Sequence, residues 1–381
     1  MSQARPEPPA RSPRPGSLEW LADAQGESLA VLDGATGRAL TRAEHDAAAN
    51  GLACGLHDEH GLDAGARVAV RLAPGGVALT VLYALAKLGA APLLLSPETP
   101  REQAATLAAT AGCALLITDG APTTPRSPGG GGVPELVASA LSSLRDRHAD
   151  GPRRLSGEQP AADSVQATDP AGGALRLVLR ARDPERVARL AATVGDLLSR
   201  VALPPQGLHL LGPAADRPEP QFWAAVALVT GGTVLTPADP SPLGLLRALG
   251  EHAVTSAVLP LATLRQLVAL PQDVREEADL LDLQRVITYG PASPDAALAD
   301  ACADLLGEDV LHHVSASTPT GPYAHAAAAH PPTPLAGVTL EDGGLRVRSP
   351  LNADGALGGP AERRGWPRPP AWRDMAVPAV D

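Results

Sequence analysis

Lysine is almost absent from this chain. Among 31 lysines and arginines, Lys87 is the only lysine, so any chemistry that needs a movable ammonium has a single candidate. Aromatic rings are nearly as scarce, with four tryptophans, three tyrosines and one phenylalanine in 381 residues. Binders of single-stranded nucleic acid stack bases on aromatic faces and neutralise phosphates with cations. A chain with few rings and a net charge of −11 is not built for that, and no nucleic-acid partner is expected. Cysteine is rare too: Cys54, Cys113 and Cys302 lie far apart with no CxxC pair, which argues against structural zinc and for buried free thiols in a reducing compartment. No apolar run approaches the ~18 residues of a spanning helix, and the Pro/Arg-rich N-terminus has no signal-peptide apolar stretch. The expectation is a cytoplasmic protein with no membrane partner. The G-x-G-x-x-G, P-loop, G-x-S-x-G and H-E-x-x-H patterns are missing as well.

What is present is apolar residue enough for a sizeable core, 44% of the chain, interrupted by 38 glycines and 40 prolines that keep elements short. Thr41 followed by Glu44 is a capping-box signature and opens a predicted helix running toward His57. A strand over 67–72, a helix over 76–88, a buried strand over 91–95, a helix over 101–111 and a strand over 113–118 follow. Between Gly120 and Gly173 the composition shifts to glycine and proline around one predicted helix, 134–147, and this stretch is expected to be a flexible connection. Alternation resumes with a strand over 174–179, a helix over 184–200, and strands over 208–211, 233–235, 254–259, 284–288 and 310–314. The predicted fold class is α/β: two tandem βα lobes with mainly parallel sheets flanked by helices, plus a small C-terminal β appendage. The corresponding divisions are a disordered N-terminus (1–16), a first lobe (17–119), the connection (120–173), a second lobe (174–330), and an appendage and tail (331–381).

Several short segments in this order resemble the N-terminal region of the adenylate-forming (ANL) superfamily, which includes acyl-CoA synthetases, adenylation domains and luciferases. They include Ala39-Leu40-Thr41, Gly65-Ala66-Arg67-Val68-Ala69-Val70, and Ala84 through Leu93 around Lys87, similar to the family's "A-x-x-K-x-G-A-x-x-x-P". Thr230-Gly231-Gly232-Thr233-Val234, Val254-Thr255 through Leu259-Pro260, Leu283 through Val286 before Gly290, and Gly344 through Pro350 complete the set. The resemblance implies a reaction in which ATP and a carboxylate form an acyl-adenylate that is passed to a thiol, with ATP or AMP and Mg²⁺ as the cofactors in play.

The same resemblance shows what is missing. The phosphate loop "T-S-G-S-T-G-x-P-K-G" should follow the strand at 174–179, where Arg180-Ala181-Arg182-Asp183-Pro184 stands instead, and Asp183-Pro184 reads as a helix start. The motif "Y-G-x-T-E-x-G" falls on Ser315 through Gly321: Thr318 and Gly321 match, Ser315 replaces the adenine-packing tyrosine, and Pro319 replaces the Mg²⁺-binding glutamate. Gly290 and Ala292 match a glycine-rich nucleotide turn, with Pro291 removing one N–H. Asp374, in Trp372-Arg373-Asp374, corresponds to the carboxylate on the ribose. The vestigial nucleotide-binding candidates are therefore Gly290, Ala292, Thr318, Gly321 and Asp374. The aspartate that holds an amino-acid substrate would fall on Arg217-Pro218 and is missing, so a plain carboxylic acid is the expected ligand class.

No catalytic or metal-binding residue is assigned. His312, His313, His325 and His330 lack a known ligand spacing, and His57-Asp58-Glu59-His60 reads as a helix end before Gly61. No mobile lid with its catalytic lysine is expected, and Lys87 lies in the wrong helix to replace it. The reading is a homologue that has lost carboxylate activation and acts as a binding or regulatory subunit beside an intact ligase, a carrier protein or a separate lid domain. The alternative is an active ligase with a diverged phosphate site and a lid supplied in trans.

Overall fold

The structure, a computed structural model, describes residues 12–120, 132–156, 164–168, 176–180, 184–212, 218–317, 321–327, 330–341, 346–348, 355–357 and 375–376. It opens with α1 (Leu18–Ala24), β1 (Leu29–Asp33), β2 (Arg38–Thr41) and α2 (Arg42–His60). Next come β3 (Arg67–Arg71), α3 (Gly76–Leu88), β4 (Ala91–Leu94), α4 (Arg101–Thr110), β5 (Leu115–Thr118), β6 (Glu135–Val137) and α5 (Ala138–Arg147). Strands β7 (Ser164–Thr168) and β8 (Arg176–Arg180) lead to α6 (Pro184–Val201). A second alternating run contains β9 (Leu208–Leu211), α7 (Pro218–Val229), β10 (Thr233–Thr236), α8 (Pro242–Glu251) and β11 (Ser256–Val258). It continues with α9 (Leu261–Val268), α10 (Gln272–Glu276), β12 (Arg285–Gly290), α11 (Ala296–Leu306) and β13 (Leu311–Ser317). The last strands are β14 (Gly321–Ala327), β15 (Thr333–Pro334), β16 (Thr339–Glu341), β17 (Arg346–Arg348), β18 (Gly355–Leu357) and β19 (Met375–Ala376).

These build the mixed α/β fold expected from the alternation, with mainly parallel sheets between helices. One sheet, ordered β4-β3-β5-β6, is parallel throughout. The larger, ordered β15-β14-β13-β12-β11-β9-β10-β1-β2, is parallel from β13 to β1 and antiparallel at both edges. Two small antiparallel sheets, β18-β8-β7 and β16-β17-β19, complete the described strands. Strands covered on both faces should be apolar along their length, and all four residues of β5 are buried. Separate apolar clusters fill the two faces of each main sheet; Leu52, Leu56, Leu85 and Ile117 anchor one of them, and Val31, Leu211, Trp223 and Ile287 another.

Local signals explain many of the boundaries. The Thr41 hydroxyl accepts from Glu44 N while the Glu44 carboxylate accepts from Thr41 N, and Gly61 in the left-handed region ends α2. Two features were not foreseen. Strands β1 and β2 lie early in the chain but pair into the large sheet through β10, about 200 residues on, as in Val31 beside Val234. Within the Gly/Pro-rich stretch, β6 extends the parallel sheet and α5 packs Leu141 and Leu144 against α2, where an alanine at Gly55 would collide with Leu144. That part of the connection is core, because its apolar residues bury more effectively against α2 than in solvent.

Polar side chains fasten the first segment to the rest. Arg42, only 4% exposed, reaches the C-terminal end of α7 and donates to the carbonyls of Leu228 (3.2 Å) and Gly232 (2.9 Å), and also to that of Gly231. A cation on the carbonyls at this end of α7 also complements the helix dipole. Lys87 is 1% exposed, with Nζ 2.8 Å from Asp46 Oδ1, 3.2 Å from Glu19 Oε1 and 2.8 Å from the Arg154 carbonyl. Tyr83 donates to Asp46 at 2.7 Å, Ser156 N and Oγ donate to Glu19, and Arg153 pairs with Asp46 and Asp23. Burial alone would raise the Glu19 pKa, but the Lys87 charge and the Ser156 hydrogen bonds more than offset this and hold it below the usual carboxylate value. The cysteines are free and buried.

Candidate functional site

In an open α/β sheet, ligands bind outside the carboxyl ends of the parallel strands, where the strand order reverses. In the large sheet β9 leads to β10 on one side and the chain then returns to β11 on the other, so the reversal lies between β9 and β11. The backbones converge there: a Cβ at Gly212 would sit 2.2 Å from the Val258 carbonyl.

Next along the same edge are β12 and β13. Gly290 ends β12 with φ 147°, and nothing lies within 4 Å of the direction its Cβ would take. A side chain would be strained at this φ, so glycine fits the end of β12, with open space beside it. Pro291 is exposed and Ala292 half-buried in the turn toward α11, whose N-cap Asp295 accepts from Leu298 N. Tyr323 on β14 donates to the Pro291 carbonyl at 3.3 Å, tying the β13–β14 hairpin to this turn.

Gly290 and Ser315 are partners on β12 and β13, and Ser317 pairs with Gly321 across the hairpin. Gly290 thus ends β12, Ala292 follows two residues on, and Gly321 opens β14 at the same end of the sheet. Thr318 and Asp374 lie outside the described residues.

Below the mouth, Thr288 and His313 are register partners, both 0% exposed; Thr288 Oγ1 and both ring nitrogens of His313 make no hydrogen bond of good geometry. Burial drives the His313 pKa down to about 4 against a partial opposing contribution from the Gly290 backbone, so the ring is neutral at pH 7. Thr288 escaped the motif comparison because a threonine inside an apolar strand gives no local signal. His313 was singled out only through its neighbour His312, which points to the opposite sheet face.

On the other described candidates the geometry is plain. His312 contacts His325, and His330 is exposed. Glu59 is gripped by Arg147 and His148, which hold it near pKa 2. His57 Nδ1 lies 3.1 Å from the Leu62 carbonyl just past the end of α2. Among the described residues no three His, Cys, Asp or Glu side chains are grouped to hold a metal ion, and no helix is long and apolar enough to cross a membrane. At the position of the expected phosphate loop, three residues separate β8 from α6.

The family described as AMP-binding enzyme matches residues 18–187. Among solved structures, the N-terminal domain of FACL13 from Mycobacterium tuberculosis is 18% identical with a TM-score of 0.72, covering 90% of this chain and 91% of that one. VinN, in complex with L-aspartate, is 17% identical with a TM-score of 0.76, covering 95% and 93%. MbtA from Mycobacterium smegmatis is 21% identical with a TM-score of 0.70, covering 89% of this chain and 67% of that one. Comparison with curated proteins gives no match. Residues 18–187 therefore carry the AMP-binding family's pattern, and the chain has the N-terminal-domain fold of the adenylate-forming enzymes.

Proposed function

We propose that this chain is an adenylate-forming-fold protein that no longer activates carboxylates with ATP and serves as a binding or regulatory subunit. The observation that carries the reading is the connection between β8 and α6. Holding the β- and γ-phosphates of ATP needs a run of backbone N–H and hydroxyl donors. Here only Ala181, Arg182 and Asp183 join the strand to the helix, with no glycine, serine, threonine or lysine among them.

Two further losses point the same way. Pro319 has no side-chain carboxylate with which to take the role of the family's Mg²⁺-binding glutamate. Lys87 is held by two carboxylates and a carbonyl, so it is not free to meet charge developing on an α-phosphate. The residues present do not fit a Mg²⁺–triphosphate group. Each such contributor typically supplies ~10²-fold or more to a reaction of this kind, so the absence of several removes most of the catalysis.

The binding half of the proposal rests on the open mouth at Gly290, with Ala292 and Gly321 beside it. Thermal unfolding separates the two halves of the reading. AMP near 100 times its dissociation constant would stabilise by about 2.7 kcal/mol. At equal concentrations, Mg²⁺–ATP is expected to raise the melting midpoint no further than AMP does. An additional rise with Mg²⁺–ATP would contradict the proposal and favour a working ligase with a diverged phosphate site.

A further inference from the structure

Two histidines cross the β13–β14 hairpin. Val314 faces His325 across the antiparallel pair, so His312, two residues earlier on β13, shares that sheet face. Their rings stack with centroids 5.2 Å apart and 28° between planes, and His312 Nδ1 lies 3.0 Å from His325 Nε2. Both are buried, at 6% and 7% exposure. A hydrogen bond between two imidazoles requires one nitrogen to donate and the other to accept. It therefore survives in the neutral pair, or with one shared proton, and is lost when both rings are charged, because both nitrogens then donate and two positive charges meet at contact distance.

The surroundings favour the neutral pair. From α6, Arg200 and Asp196 face His325, but Arg200 is bound to Asp196, the Thr333 hydroxyl and the Pro334 carbonyl, and Asp196 also accepts from Ala336 N. From β12, Arg285 faces His312 while donating to the Val201 carbonyl, and Asp309 lies on the approach to β13. Burial, then the neighbouring positive charges, depress both imidazoles. The strands they fasten, β14 and the two-residue β15, form the edge of the sheet, where local opening requires least disruption.

We propose that His312 and His325 form a proton-operated clasp: charging of both rings breaks the ring-to-ring bond and releases β14 and β15 from the edge while the parallel strands stay folded.

Native-state amide exchange tests it. A histidine that takes up its proton only in the open form makes opening about tenfold easier for each pH unit below its unperturbed value. Protection of β14 amides, corrected for intrinsic exchange, is expected to fall at least tenfold between pH 7 and pH 5. Its small dependence on added urea would mark the opening as local. In H325Q, whose amide nitrogen can still meet His312 without taking a proton, only His312 is left to gain a proton on opening, so the pH step should shrink. Full global urea dependence of β14 exchange, or a step unchanged in H325Q, would overturn the clasp. Should H325Q fail to fold, ring ¹⁵N shifts of the unmodified protein decide: fixed, complementary tautomers at pH 7 support the pair, and freely exchanging tautomers contradict it.

Discussion

Replacing Lys87 with methionine is expected to destabilise the fold by about 3–5 kcal/mol, the range seen when one partner of a buried ion pair is removed. The substitution nearly preserves volume, so little of the loss comes from packing. What it leaves is two carboxylates, Glu19 and Asp46, at 1% and 10% side-chain exposure, facing a vacated cation site. It also strands the Arg154 carbonyl and removes a cation lying 4.7 Å from the centre of the Tyr83 ring.

The pH dependence identifies the mechanism. In the unmodified protein Glu19 is held below its usual value, so its contribution is present above the unfolded carboxylate range and is lost as pH falls through the folded value. Without Lys87, burial of Glu19 is opposed only by its hydrogen bonds, chiefly those from Ser156, so its pKa should rise. The difference between the two proteins should be largest near pH 7 and shrink toward pH 4, as the stranded carboxylates protonate. Denaturant titrations of both proteins at several pH values measure this directly. A penalty under 1 kcal/mol, or one independent of pH, would show that the network is solvated.

The second large effect is acid sensitivity. His45, His209 and His313 are at most 3% exposed, and burial depresses them to about 4, 3 and 4. For His45 the charge of Asp46 opposes that shift without cancelling it. All three are neutral in the fold and protonate on unfolding below their ordinary value of 6.5. The unfolded state therefore binds more protons between pH 6.5 and pH 4, and stability falls as pH drops through that window. Each contributes a slope of about 1.4 kcal/mol per pH unit, giving roughly 4 kcal/mol per unit together. H209N, which keeps a group able to bond the Ser256 hydroxyl 2.9 Å away, should flatten the slope by about one third. An unfolding free energy that hardly changes from pH 7 to pH 5 would show that water reaches these rings.

Much of the architecture was legible because it is local. The Thr41–Glu44 pair, the proline opening α6 and the alternation of apolar runs each act within one or two turns of chain. β1 and β2 were missed because their partner β10 is remote in sequence, and pairing at that distance leaves no periodic trace. The helix at Ala138–Arg147 was legible even in glycine- and proline-rich surroundings, but strand β6 before it was not, nor that α5 packs into the core against α2. Gly290, Ala292 and Gly321 were singled out through family resemblance, and for Gly290 the structure adds a backbone reason in its positive φ. Thr288 was not, because a buried threonine looks the same whether or not its hydroxyl has a partner. The fixed role of Lys87 was equally hidden: Glu19, Asp46, Tyr83 and Arg154 meet it only once α1, α2, α3 and the segment after α5 have packed.

The central claim is that the adenylate-forming fold persists here without adenylate-forming chemistry. ATP–pyrophosphate exchange, measured with the purified chain, Mg²⁺ and a panel of aliphatic and aromatic carboxylic acids, tests that claim most directly. With a three-residue connection between β8 and α6, Pro319 in place of a carboxylate and Lys87 committed to an ion-pair network, label exchange is predicted to stay at the no-enzyme background for every acid. Acid-dependent exchange above that background would contradict the account and establish a ligase that holds its phosphates by other means.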